Sequence, residues 1–193
     1  MREIKLYEAP PFSPREALRY ARASASSPQL DELLFDCLTE CEGVLNYKLA
    51  YCELSFTIIG DLCDFGAFSV RSRALSENLA SAKKLILFVA SVGARIDRLI
   101  EKYERISPLR ALMISAIGSE RVEALADVFS RDMEKKYGMS ALKRFSPGYS
   151  DLPLDVQRDI FTCLAPEKDM GLYLGDSLLM TPTKSVSAFL GLK

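Results

Sequence analysis

Between Ser107 and Gly138 the chain carries its longest helical pattern. Ser107-Pro108 opens it, with proline at the first helical position, and Gly138 stops it as a C-cap. Gly118-Ser119 in the middle is expected to bend it. On either side of this helix the hydrophobic period switches between 3.6 and 2, so the chain has to build a mixed α+β fold.

Upstream, a short extended start leads to Pro10-Pro11, and Ser13-Pro14 opens a helix to about Arg22. Residues 28–42 form an amphipathic helix, with Leu30, Leu33, Leu34, Cys37, Leu38 and Cys41 on one stripe. Tyr47 to Ile59 is rich in β-branched and aromatic residues and reads as one or two strands ending at Gly60-Asp61. Ser72 to Leu79 reads as a short helix. The continuous apolar run from Lys84 to Ser91 suits a strand buried on both faces. Gly93 starts a helix to about Arg105. Past Gly138, Leu154 to Leu164 reads as a helix capped by Asp151 or Asp155, and short strands near 172–174, 178–180 and 185–190 follow. No repeat or linker interrupts the 193 residues, which favours one domain, with two lobes divided near residue 80 as the alternative.

Histidine is absent. That removes Ser-His-Asp and Cys-His nucleophile pairs, histidine proton shuttles and every histidine-containing zinc site. The charge balance of 25 basic against 26 acidic residues argues against a protein held to nucleic acid through phosphate contacts. The longest apolar stretch is far short of the ~20 residues of a membrane-spanning helix, and no signal-peptide core follows Met1. The five cysteines are irregularly spaced, so a reducing, cytoplasmic setting is expected. Cys37 and Cys41 share a helix face and could hold a metal or sense redox state. Their place inside the apolar stripe makes them core residues instead, and Cys52, Cys63 and Cys163 read the same way. Glycine-rich phosphate-binding loops, nucleophile elbows and calcium loops are missing.

Two features remain. Glu120, Glu123 and Asp127 fall on one side of the long helix, which by itself reads as a solvated acidic face. The stretch from Arg144 to Pro153, Arg-Phe-Ser-Pro-Gly-Tyr-Ser-Asp-Leu-Pro, crowds glycine, tyrosine and two prolines between two regular elements. Such a backbone can present N–H and C=O groups to a ligand, and arginine offers a planar fork for a carboxylate. A small zwitterion would suit it. A structural turn carrying a surface arginine has the same spacing.

This loop, taken with the tail, resembles the activation domain of cobalamin-dependent methionine synthase. The parts stand in the family's order: Arg144, Gly148-Tyr149, Pro153, a helix over 154–164, Ser177, Met180, Pro182 and Ser185-Val186-Ser187. The strand at 84–91 and the acidic helix near Glu123 are similar more weakly. The resemblance implies an α+β fold with helices around a twisted antiparallel sheet, and it implies binding of S-adenosylmethionine. Arg144 would hold the methionine carboxylate. Ser146, Gly148 and Val186 would give backbone contacts, Tyr149 would line the site, and Glu123 would face the ligand's amino group or sulfonium. The partner would be a cobalamin-binding methionine synthase or another corrinoid protein, reduced by a flavodoxin-type donor. The cofactor then carries the hard chemistry, and the protein places a methyl group.

Two departures shape the expectation. The residues after Tyr149 are Ser-Asp-Leu-Pro where the family more often has Pro-Ala-Cys-Pro, and the chain ends at Lys193, soon after the Ser-Val-Ser strand. No Asp-x-His-x-x-Gly cobalamin motif can exist without histidine. The expected role is therefore a stand-alone activation subunit acting in trans. The alternatives are an interaction module that has lost the ligand, and an activator of a different corrinoid methyltransferase.

Overall fold

The computed structural model describes residues 1–23 and 27–193. Its centre is a four-stranded antiparallel sheet in the order β1 (Arg2–Tyr7), β2 (Tyr47–Leu54), β6 (Lys84–Ser91), β9 (Ser185–Leu192). The expected antiparallel sheet flanked by helices is what forms. The strands come from both sides of residue 80, so the alternative division into two lobes would cut through the sheet.

Both faces of the sheet are buried, and the pleat explains how one apolar run serves two cores. Ile86, Phe88 and Ala90 face one side with Leu49 and Tyr51. Leu85, Leu87 and Val89 face the other with Ala50 and Cys52. The first core is closed by α1 (Pro14–Tyr20), α2 (Pro28–Glu42), α4 (Arg95–Glu104) and α5 (Pro108–Tyr137). The second is closed by α3 (Arg73–Leu79), α6 (Val156–Leu164), α7 (Glu167–Met170) and a small sheet of β3 (Thr57–Ile59), β4 (Leu62–Asp64) and β5 (Ser69–Arg71). The hairpin of β7 (Tyr173–Leu174) and β8 (Met180–Thr181) leads into β9. Cys37 and Cys41 are fully buried in the first core and Cys63 in the second, as small apolar side chains.

The helix α5 runs unbroken for 30 residues, about 45 Å. Gly138 closes it at φ 63°, the left-handed cap expected from sequence. The glycine inside it has a different reason from the bend expected there. A Cβ on Gly118 would stand 2.7 Å from Ile96 Cδ1 and 2.8 Å from Lys184 Cγ, so the missing side chain lets α4 and the start of β9 press against the helix.

Several boundaries move. The first helix stops at Tyr20 rather than Arg22, because Arg22 sits at φ 56°. The fourth begins at Arg95, after Gly93 turns at φ 89°. Asp155 stands at the start of α6 without making a side-chain cap. Asp151 caps another helix: its carboxylate accepts from Ser72 Oγ (2.6 Å), Arg73 N (2.8 Å) and Ala74 N (3.3 Å) at the start of α3. Among the described residues, no helix is long and apolar enough to cross a membrane.

Candidate functional site

The loop from Arg144 to Pro153 is held at three points. Phe145 and Leu152 are buried in the second core. Phe145 also exchanges backbone hydrogen bonds of 3.0 and 2.8 Å with Phe189, so the segment runs along the outer edge of β9. Asp151 fastens the far end to α3. Between these anchors the turn closes on itself, with Gly148 N–H donating to Leu152 O (2.9 Å) and Tyr149 N–H to Ser146 O (3.2 Å). Gly148 lies at φ 81°, and a Cβ there would come within 3.1 Å of Leu154 Cδ1.

So anchored, the loop sends Arg144 toward α5. Its guanidinium donates to Glu123 Oε2 at 2.8 Å, Asp127 Oδ1 at 2.5 Å and Ser130 Oγ at 3.4 Å. The Arg144 side chain is 21% exposed, so these ion pairs are only partly screened by solvent. Beside them opens a cleft of about 430 Å³, lined by Glu123, Asp127, Ser130, Lys143, Arg144, Ser146 and Val186 among others. A neighbouring hollow of about 370 Å³, between the Pro10–Ser13 segment, α1 and α5, shares Glu123 and Asp127. Tyr20 lines that hollow, and burial, helped by the negative charge of Glu123, raises its phenol above the ordinary value.

Four of the expected residues therefore meet at one cleft: Glu123, Arg144, Ser146 and Val186. Gly148 and Tyr149 do not line it. Tyr149 is 57% exposed, with its ring edge-on to Phe145 and the Lys143 ammonium 5.6 Å from the ring centroid. The backbone roles also shift. The N–H of Gly148 donates to Leu152 O within the turn. On β9, the ladder that pairs Val186 with Ala90 turns the Val186 peptide groups inward. Val186 brings its side chain to the cleft, and the peptide groups of Ser187 are the ones that point away from β6 toward the loop.

The acidic face read from sequence divides into two. Glu120 is buried and paired with buried Arg121, whose guanidinium donates to Glu120 Oε2 (2.5 Å), Pro10 O (2.6 Å) and Pro11 O (2.8 Å). Glu123 and Asp127 belong to the cleft. Ser130 was not assigned to the site from sequence, and Asp127 was noted only as part of the acidic face. Both follow Glu123 along one helical stripe at i+4 and i+7, a signal that gains meaning only once Arg144 is known to face it. Among the described residues, no group of three or more Cys, Asp or Glu side chains is placed to hold a metal ion.

The sequence matches no curated protein. In a solved crystal structure, that of the MetH reactivation domain bound to AdoHcy, the same fold recurs with a TM-score of 0.73 at 16% identity, over 99% of this chain and 78% of the other. The sequence profile of the activation domain of vitamin B12 dependent methionine synthase matches residues 72–192, a stretch that contains the cleft's Glu123, Arg144, Ser146 and Val186. The chain belongs to the family of vitamin B12 dependent methionine synthase activation domains.

Proposed function

We propose that the cleft beside Arg144 binds S-adenosylmethionine, and that the chain serves as an activation subunit supporting reductive methylation of cob(II)alamin held by a separate cobalamin-dependent methionine synthase. The observation that carries this reading is the Arg144–Glu123 ion pair in the wall of the cleft. Two opposite charges on different elements match the carboxylate and cationic groups of a zwitterionic amino acid. The ligand's carboxylate displaces Asp127 and Glu123 from the guanidinium, and Glu123, released, faces the ammonium or sulfonium. The cleft volume lies in the range of small-molecule sites. The structural relative, solved with the demethylated form of this ligand, supports the same reading.

The partner supplies the methyl acceptor, cob(I)alamin, made from cob(II)alamin by one electron from a flavodoxin-type donor. This chain's residues bind and orient the methyl donor. Transfer from a sulfonium moves no proton, so the role asks for no general base. One observation favours a second reading: Arg144 is already satisfied by two carboxylates, as in a module that keeps its partner surface without the ligand.

Calorimetric titration with S-adenosylmethionine separates the two. Wild type should bind, and Arg144→Ala should lose roughly 1.5–3 kcal/mol, the value of a charge-assisted contact. Equal binding by the variant rejects the site, and no binding by wild type favours the ligand-free module. With cob(II)alamin-loaded methionine synthase fragment and a low-potential reductant, wild type should speed the appearance of the methylcobalamin spectrum. No acceleration over reductant alone rejects the reactivation role.

A further inference from the structure

The two edges of the central sheet are treated differently. The outer edge of β9 is covered by the 141–145 segment, through Phe145 and Ala141. The outer edge of β1 pairs with no strand among the described residues. On it Ile4 is 39% and Leu6 73% exposed, although both are large and apolar.

Ladder parity fixes which groups this edge presents. Phe189 bonds outward to Phe145, so Ala188 and the other even residues of β9 bond inward to β6. Following the registers across β6 and β2, Glu3, Lys5 and Tyr7 bond to Tyr51, Leu49 and Tyr47. The N–H and C=O groups of Arg2, Ile4 and Leu6 then point out of the sheet edge. A strand edge of this kind is a template for another strand.

We infer that β1 is a self-association surface, on which a second copy of this chain pairs antiparallel about a two-fold axis at Ile4 to join the two sheets into one. The sequence Arg2-Glu3-Ile4-Lys5-Leu6 is complementary to itself in that register. Ile4 meets Ile4 as a hydrogen-bonded pair, which is the kind its outward peptide groups require. Glu3 stands opposite Lys5 twice, at non-hydrogen-bonded positions where side chains come closest. Leu6 lies along the stem of the second copy's Arg2. Charges on an edge strand ordinarily discourage pairing. Here two opposite charges flank Ile4, so registers centred on Glu3 or Lys5, which the outward peptide groups allow equally, are disfavoured because they set like charges face to face at the closest positions. The internal partners of these charges leave room for a second one: Lys5 has an ammonium shared with Asp132, and Glu3 a carboxylate shared with Tyr51 and Lys136. Such an isologous contact closes at two copies.

Sedimentation velocity of the full chain over a wide concentration range is the test. The expected species is a dimer of twice 21.5 kDa. Ile4→Pro removes only an outward N–H, so it should yield a monomer with unchanged far-UV circular dichroism. Lys5→Glu, which sets acid against acid, should weaken the dimer about tenfold or more, and the Glu3→Lys/Lys5→Glu swap should restore most of it. Ile4→Cys should give a disulfide-linked dimer on oxidation, because a hydrogen-bonded pair places Cα atoms about 5.5 Å apart. Leu6→Cys, facing Arg2 instead, should not. A monomer at every concentration, a dimer that Ile4→Pro leaves intact, or a dimer that Ile4→Cys does not cross-link each overturns the proposal.

Discussion

Gly118 shows how a single position can set local preference against packing. Helix propensity favours alanine there by about 1 kcal/mol. Against that, the added Cβ meets Ile96 and Lys184 at under 3 Å, and neither is free to withdraw. Ile96 is fully buried. The Lys184 stem is held by its ammonium, which donates to Ser115 Oγ (2.8 Å) and Ser119 Oγ (3.2 Å). Burial lowers the pKa of that ammonium. Overpacking of this kind costs about 1–3 kcal/mol and exceeds the propensity gain. Gly118→Ala should therefore lower the unfolding free energy by about 1 kcal/mol in urea titration, and a stabilised variant would show that α4 and the start of β9 can retreat. The glycine reads as a bend in the sequence because the two side chains it makes room for lie far along the chain.

At the level of elements, what could be read from sequence was what is local. The ends of α5 were legible from Ser107-Pro108 and Gly138, and β6 from its unbroken apolar run. The strands β4 and β5, three residues each, are too short to show a period. The Asp151 cap could not be read, since its helix lies many residues away in sequence. The Glu120–Arg121 pair belongs to the same class. From sequence Glu120 is one more acid on an exposed stripe; in the fold it is 3% exposed and, with Arg121, fastens Pro10 and Pro11 to α5. Its other carboxylate oxygen accepts from Ser13 N–H at 3.0 Å. Breaking a buried pair by removing one charge strands the other. Glu120→Gln should cost about 3 kcal/mol and should make the Pro10–Ser13 segment a site of early cleavage in limited proteolysis. Wild-type stability and cleavage pattern in the variant would mean that the carbonyls of Pro10 and Pro11 alone satisfy Arg121.

For the molecule as a whole, the absence of histidine sets the shape of stability against pH. Hydrogen bonds hold several carboxyls below their ordinary values: Glu3 through the Tyr51 hydroxyl and Lys136, Glu53 through Lys84 and Tyr137, Asp151 through Ser72 and backbone N–H groups. A carboxyl whose folded pKa is lowered contributes stability above its unfolded value, and that stability is lost as pH falls through the folded value. In the other direction, burial pushes the Cys41 thiol to about 12 and the Cys52 thiol to about 11. Stability they contribute is present below the unfolded thiol value and is lost as pH climbs through the folded one. Urea unfolding should therefore give a plateau between about pH 5 and 8, falling below about 4 and above about 9. A steep slope inside the plateau would point to a strongly coupled group other than these.

The site was legible as a set of residue types and only partly as a place. Arg144 is matched by motif and Glu123 by the weaker likeness of the acidic helix, and the fold brings them together; Tyr149 belongs to the same motif as Arg144 and is exposed beside the cleft. The alternation of β6, one side chain to each core in turn, carries a last consequence. The stretch that matches the family profile begins at residue 72, yet β2, which completes the hydrogen bonding of β6 and lines both cores, begins at Tyr47, and β1, which pairs with β2, begins at Arg2. Cut down to its recognisable part, the chain would keep its cleft residues and lose the wall behind them. Sequence likeness and foldability thus have different borders here, and a fragment chosen by the first would fail by the second.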